Sequence, residues 1–417
     1  MSAAPAWVDD PGLAERWASA LAGELPTAVR LRHELHARPE LSGAEEGTAE
    51  RVVAAIAAAA PPHPPGPGPT VLAVTSVAGT GRLVRIGPST GPAVAVRAEL
   101  DALPVIEQTG AAWASEEPGV MHACGHDVHL AAAVALGRSA LSVHHAVGLP
   151  AALLLVLQPR EELSPSGARD VVDSGLLARE QARSVLGVHL QPQVPAGRLA
   201  VDPGVVNAGV DAFTITITGR GGHSAYPHLA LDPVPPLCQS VLAVRDAVST
   251  VDPMRPAVVT VGMLEAGSAP NVIGAVARAT GTLRTVDAVD RTRLHDRLRI
   301  AVTSTATAYG CTGELTIHPG EAPLRNDPAL VAAVRERWDS APVQARPALA
   351  EDEFRSCGSD DFATYGEVLP IAMMFLGVAE GSPMLHDARF LPPDRTIGEA
   401  ATAMLLGYLG ALDRLAG

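Results

Sequence analysis

Lysine is missing altogether: all 31 basic residues of the chain are Arg. Its absence excludes Schiff-base chemistry, a P-loop lysine and a lysine general base. Positive charge is scarce as a whole, the formal net charge being -14. Nucleic acid and anionic membrane both call for a basic footprint, so neither is expected as a partner. Long apolar runs are also lacking. Each is too short or too interrupted to span a bilayer, and the acidic start "MSAAPAWVDD" has no basic segment of the kind that opens a signal peptide. Cys124, Cys238, Cys311 and Cys357 are far apart and show no CxxC spacing, which suits reduced thiols rather than a disulfide framework. A soluble cytoplasmic protein is expected.

What is present suffices for a globular fold, with 47% hydrophobic and 18% charged residues. A chain of 417 residues exceeds what one core usually serves, so two domains are expected. "LAERWASALAGELPTAVRLRHELHARP" and "GTAERVVAAIAAAA" have helical spacing, the second ending at the Pro-rich loop "PPHPPGPGP". Strands are expected at "TVLAVTSVAG", "GRLVRIG", "AVAVRAELDALP", "AALLLVLQP" and "VLGVHLQP", with a helix at "HLAAAVALGRSALS". This alternation implies an α/β domain with a mostly parallel sheet, whose chemistry gathers at the carboxyl ends of its strands.

From about Gly204 the rhythm changes. "VDAFTITITG" alternates strictly, and the order that follows is β-α-β-β-α-β, the split pattern of a ferredoxin-like α+β domain. Helix and strand signals of the first kind resume at "PALVAAVRERWD", "PIAMMFLG" and "IGEAATAMLLGYLGALDRLA". The expected division is therefore residues 1–203 and 320–417 for one domain, with residues 204–319 inserted into it.

The residues able to carry chemistry cluster at the expected strand ends. In "MHACGHDVHL", Cys124 and His126 flank Gly125, whose freedom lets the backbone bend so that both side chains converge on one late divalent ion. The pair reads equally as a buried thiol beside a satisfied histidine. Asp127 and His129 fit supporting or helix-start roles. Glu161 and Glu162 follow an apolar strand; neighbours in an extended segment point opposite ways, so one can hold metal while the other acts as general base, the alternative being a solvated acidic loop. His189 and His386 each follow a strand-like run, as a ligand or as a hydrogen-bonded edge residue would. Asp101 closes another strand, where it either orients a ligand histidine or caps a turn. In the inserted segment, His223 of "GRGGHSAYPH" can donate to a developing oxyanion, and Arg284 offers a planar fork for a carboxylate; Asn271 is the third polar candidate. Loop and surface roles are the alternatives for all three.

Taken in order, "RHELHARPELSGAEEGTAE", "VRAELDALPVIEQTG", "GVMHACGHDVHLAAAVALG", "LQPREE", "GVHLQPQVPAGRL", "GRGGHSAYPHLALDPV", "NVIG", "GTLRTVD" and "GSDDFATYG" resemble the hippurate hydrolases, N-acyl-amino-acid amidohydrolases and indole-acetyl-amino-acid hydrolases. These form a branch of the aminoacylase and carboxypeptidase superfamily of two-metal exopeptidases, and the resemblance runs from about Leu31 onwards. It implies a catalytic α/β domain and an inserted lid and dimerisation domain. It also implies a homodimer, an N-acyl amino acid substrate and two divalent ions drawn from Zn, Mn, Co or Ni. The implied metal ligands are Cys124, His126, Glu162, His189 and His386. Glu161 would be the general base, Asp101 a support for the ligands, His223 an oxyanion donor, and Asn271 and Arg284 the contacts to the substrate's carboxylate end. Departures from the family pattern are Arg160 in place of Ala, Gly274 in place of Pro and Glu99 in place of Asp. None removes a ligand or the base, although the charge of Arg160 would act on Glu161.

The expected reaction is hydrolysis of an N-acyl amino acid. Three rivals are a metallo-exopeptidase acting on dipeptide-like substrates, a thiol hydrolase with Cys124 as nucleophile, and a binding protein that has lost catalysis.

Overall fold

The structure, a computed structural model, describes residues 11–60, 71–341 and 346–416; the acidic start and the Pro-rich loop lie outside them. The chain divides into two compact units, one of residues 1–204, 325–354 and 364–417, the other of residues 205–324 and 355–363. In chain order the elements are α1 (Pro11–Ala37), α2 (Glu46–Ala57), β1 (Val71–Val77), β2 (Gly81–Gly87), β3 (Ala93–Glu99), α3 (His126–Val147), β4 (Ala152–Gln158), α4 (Gly167–Asp173), α5 (Leu176–Arg179), β5 (Ala182–Leu190) and β6 (Arg198–Ala200). They continue with β7 (Gly204–Asn207), β8 (Gly209–Thr218), β9 (Gly222–His223), α6 (Val234–Ala247), β10 (Ala257–Ala266), β11 (Val272–Ile273), β12 (Val276–Thr285), α7 (Ala288–Ala308) and β13 (Thr312–Pro319). The last are β14 (Leu324–Asn326), α8 (Pro328–Ser340), β15 (Ala348–Leu349), β16 (Ile371–Leu376) and α9 (Arg395–Ala416).

The first unit is built on an eight-stranded sheet in the order β1-β2-β4-β3-β5-β16-β6-β15. Its centre is parallel, β3 pairing in parallel with both β4 and β5, and β5 with β16. The antiparallel pairs β1·β2, β2·β4 and β16·β6 flank this centre, so the sheet as a whole is mixed and the expected parallel arrangement describes its middle. The middle strands read as continuous apolar runs because helices cover both faces; every residue of β3, β4 and β16 is buried. α1, α3 and α9 supply the helical side of this core through Trp17, Leu35, Val134, Leu141, Met404 and Tyr408.

Among the described residues α3 alone is long and apolar enough by composition to cross a bilayer. The physical reason is burial inside the protein: Val128, Leu130 to Gly137 and Ala140 are all covered, and a helix covered all round must be apolar all round.

The second unit holds an antiparallel sheet in the order β10-β12-β8-β13, the order a ferredoxin-like β-α-β-β-α-β chain adopts. Alternation in β8 has the expected result, with Phe213, Ile215 and Ile217 inward against α6 and α7.

Candidate active site

The parallel centre of the sheet sends four strand ends in one direction, and the chemistry follows them. Asp101 lies just beyond β3, Glu161 and Glu162 just beyond β4, His189 at the end of β5, and His386 in the loop after β16. Cys124 and His126 stand at the start of α3, where Gly125 takes φ +83°, a left-handed conformation. A Cβ at that position would lie 2.8 Å from Leu190 Cδ1, so a larger residue there would also push the Leu190 side chain aside. His386 has a left-handed φ of 69° as well, and its N–H donates to Ala123 O at 2.9 Å, tying that loop to the Cys124 turn.

Side chains within the first unit converge as the sequence suggested. Cys124, His126 and His189 bring ligand atoms within 4.8 Å of one another; so do Cys124, Glu162 and His386, and so do His126, Glu161 and Glu162. Cys124 is common to the first two groups. Its Sγ lies 3.6 Å from His189 Nε2, and His386 Nε2 lies 3.1 Å from Glu162 Oε1. His126 Nδ1 donates to the Asp101 carbonyl at 2.9 Å, which turns Nε2 into the cluster, 4.0 Å from Glu161 Oε2. That buried Nε2 has no hydrogen-bond partner, an arrangement a cation resolves. One thiol, three imidazoles and two carboxylates make a donor set suited to late divalent ions, so the residues present fit a metal pair.

The electrostatics point the same way. Burial works against a charged His126, yet the carboxylates of Asp101, Glu99 and Glu162 push it up to about 10. Concentrated negative charge of this kind holds either a proton or a cation. Burial and the neighbouring Glu162 and Glu161 push the Cys124 thiol well up. A nucleophilic thiolate and a ligand thiolate both need that shift reversed, which a bound cation would do.

Asp101 is buried among several polar partners. Its Oδ2 accepts from Ser42 Oγ at 2.7 Å and from the Glu162 N–H at 2.9 Å, while Oδ1 lies 3.5 Å from His126 Nδ1. Although burial alone would raise it, these partners hold its carboxyl at about 2. Asp127 turns away from the cluster to Arg32 Nε at 3.0 Å and His36 Nδ1 at 2.9 Å. The Arg160 guanidinium meets Asp170 and donates to Pro165 O.

Sequence reasoning missed Glu45, Ser42 and Leu190. Glu45 Oε1 accepts from the N–H of Gly43 and of Arg160, and Oε2 accepts from Thr80 Oγ, so this buried carboxylate holds the turn that presents Glu161. The available signal was the first of three acidic residues in "LSGAEEGTAE", which no local pattern separates from a surface Glu.

The second unit carries the remaining candidates. His223 in β9 pairs with Val272 of β11, and Ser224 N–H donates to Asn271 O, so His223 and Asn271 are neighbours. His223 is exposed and its Nδ1 accepts from Ala225 N–H at 3.0 Å, leaving Nε2–H as the donor of the neutral ring. Arg284 in β12 donates to Cys357 O at 2.9 Å, with Ser359 Oγ at 3.4 Å.

Residues 95–408 match the profile of peptidase family M20/M25/M40, and the chain belongs to that family. It is 32% identical over 394 residues to an N-acetyldiaminopimelate deacetylase of Halalkalibacterium halodurans, covering 93% of this chain and 100% of the relative. It is 35% identical over 316 residues to the N-acetyl-L-cysteine deacetylase of Bacillus subtilis, covering 76% of this chain and 73% of the relative. Among solved structures, a Bacillus subtilis dinuclear metal-binding peptidase of the M20 family superimposes with a TM-score of 0.78 at 27% identity, over 94% of this chain and 99% of that one.

Proposed function

We propose that the protein is a metal-dependent amidohydrolase that cleaves N-acyl amino acids to a carboxylate and an amino acid. The observation that carries this is the shared thiol, Cys124, which stands between a His126/His189 group and a Glu162/His386 group. These five residues would hold two divalent ions, with Zn, Mn, Co and Ni the metals to test. When bound, such ions polarise the scissile carbonyl and lower the pKa of the attacking water. Glu161 takes that water's proton on its carboxylate and later passes it to the leaving nitrogen. Asp101 fixes the His126 ring, so that Nε2 faces the reaction. His223 donates from Nε2 to the developing oxyanion, while Asn271 and Arg284 receive the substrate's carboxylate.

In this reading the first unit is catalytic and the second is a lid and dimerisation domain. The exposed Val258, Met263 and Leu264 on edge strand β10 support a homodimer. Four unpaired thiols support a reducing, cytoplasmic setting. The relatives are deacetylases of N-acetyl compounds, which favours small acyl groups, acetyl above all. The test is a deacylation screen over acetyl, benzoyl, indole-acetyl and long-chain acyl amino acids, with metal analysis of the same sample. Turnover that survives exhaustive chelation would sink the proposal.

A further inference from the structure

Beyond the ligands, a fully buried chain of polar groups runs from β3 to the end of β5. Arg97 meets Glu99 Oε1, and its Nε donates to Gln158 Oε1 at 3.1 Å, an oxygen that Tyr365 Oη also contacts at 2.8 Å. Glu99 Oε2 lies 2.8 Å from His129 Nδ1, and His129 Nε2 lies 3.1 Å from the backbone N of Leu190. None of Arg97, Glu99, His129 and Gln158 is more than 1% exposed.

Donor and acceptor logic fixes the protons along this chain. A backbone N–H can only donate, so His129 Nε2 must carry the lone pair, and the ring is neutral with its proton on Nδ1, facing Glu99. The next link is His189, whose Nδ1 lies 2.7 Å from Leu190 O, an atom that can only accept. Nδ1 of His189 therefore holds the proton, and Nε2 is left to face Cys124 Sγ at 3.6 Å. His129 thus clamps the Leu190 backbone, whose carbonyl sets the tautomer and orientation of His189.

We propose that Glu99 and His129 are a positioning pair that fixes His189 as a metal ligand through the Leu190 peptide. This rests on the metal reading above. Glu99, His126 and His129 are also close enough together to suggest a third ion group, but both nitrogens of His129 are already engaged. No lone pair remains on it for a metal. The two oxygens of Glu99 divide between Arg97 and His129.

The test is calorimetric titration of Zn2+ into the metal-free full-length protein and two variants. His129→Leu removes both hydrogen bonds; His129→Gln keeps an amide oxygen for Leu190 N–H and an amide N–H for Glu99. We expect His129→Leu to lose about 10- to 100-fold in affinity for one of the two ions and to spare the other. His129→Gln should restore most of that loss, which a role in packing alone would not explain. His129→Leu binding both ions as tightly as the parent overturns the proposal. Parent protein that takes up no ion overturns the metal reading and this one together. Should His129→Leu fail to fold, the ring-nitrogen NMR spectrum of the parent decides: His189 Nε2 must shift on Zn2+ uptake while His129 Nε2 does not. A shift at His129 Nε2 makes it a ligand and overturns the positioning role.

Discussion

The two units carry their chemical residues in contrasting ways. In the first, His126, Asp101 and Glu99 are buried, with Asp101 and Glu99 each engaged by several partners and His126 tied to Asp101. In the second, His223 and Asn271 lie exposed on a two-residue strand pair with few neighbours. Preorganisation of a metal site demands rigid, dry surroundings, whereas groups that meet substrate must remain reachable. The contrast teaches that substitutions at the proposed ligands and their buried partners in the first unit should register in metal content, and those at Glu161 or in the second unit in turnover alone.

The sharpest break between the two comes from Cys124→Ala. Because the thiol serves both ligand groups, this variant should lose most bound metal and nearly all activity while keeping its far-UV circular dichroism; a metal-loaded, active Cys124→Ala would erase the distinction. Next in size is Glu161→Gln, which should keep its metal and lose roughly 100- to 10,000-fold in kcat, the range that general acid–base catalysis supplies. His223→Ala should cost about 100-fold or more in kcat, the scale of one oxyanion donor, with metal content unchanged by elemental analysis. Gly125→Ala probes the backbone: a left-handed φ and a Cβ 2.8 Å from Leu190 Cδ1 should cost about 1–3 kcal/mol, read as a lowered denaturant midpoint. Smallest is Arg160→Ala, since the guanidinium is engaged by Asp170 and Pro165; kcat/KM should stay close to that of the parent.

Local periodicity made most elements legible. The strict alternation of "VDAFTITITG" became β8, and the unbroken apolar run of "AALLLVLQP" became β4, buried throughout. Strand order was less accessible. That β1 and β2 add to the sheet antiparallel beside β4 depends on long-range pairing, which no window of sequence encodes. The residues proposed as ligands stood out because each follows an apolar strand or a glycine turn, and Asp101 because it closes a strand. Glu45, Glu99 and Leu190 did not: they act through contacts spanning many residues, and a buried Glu looks in sequence like an exposed one. The apolar character of α3 showed the converse, a core helix that composition alone cannot tell from a membrane span.

The central claim is that Cys124, His126, Glu162, His189 and His386 would hold a pair of divalent ions and that Glu161 is the base in amide hydrolysis. It is tested most directly by measuring bound metal and deacetylation of an N-acetyl amino acid on the same preparations of parent and Glu161→Gln. The account predicts two divalent ions per chain in both and turnover only in the parent. An active Glu161→Gln, or a parent that turns over with no metal bound, would contradict it.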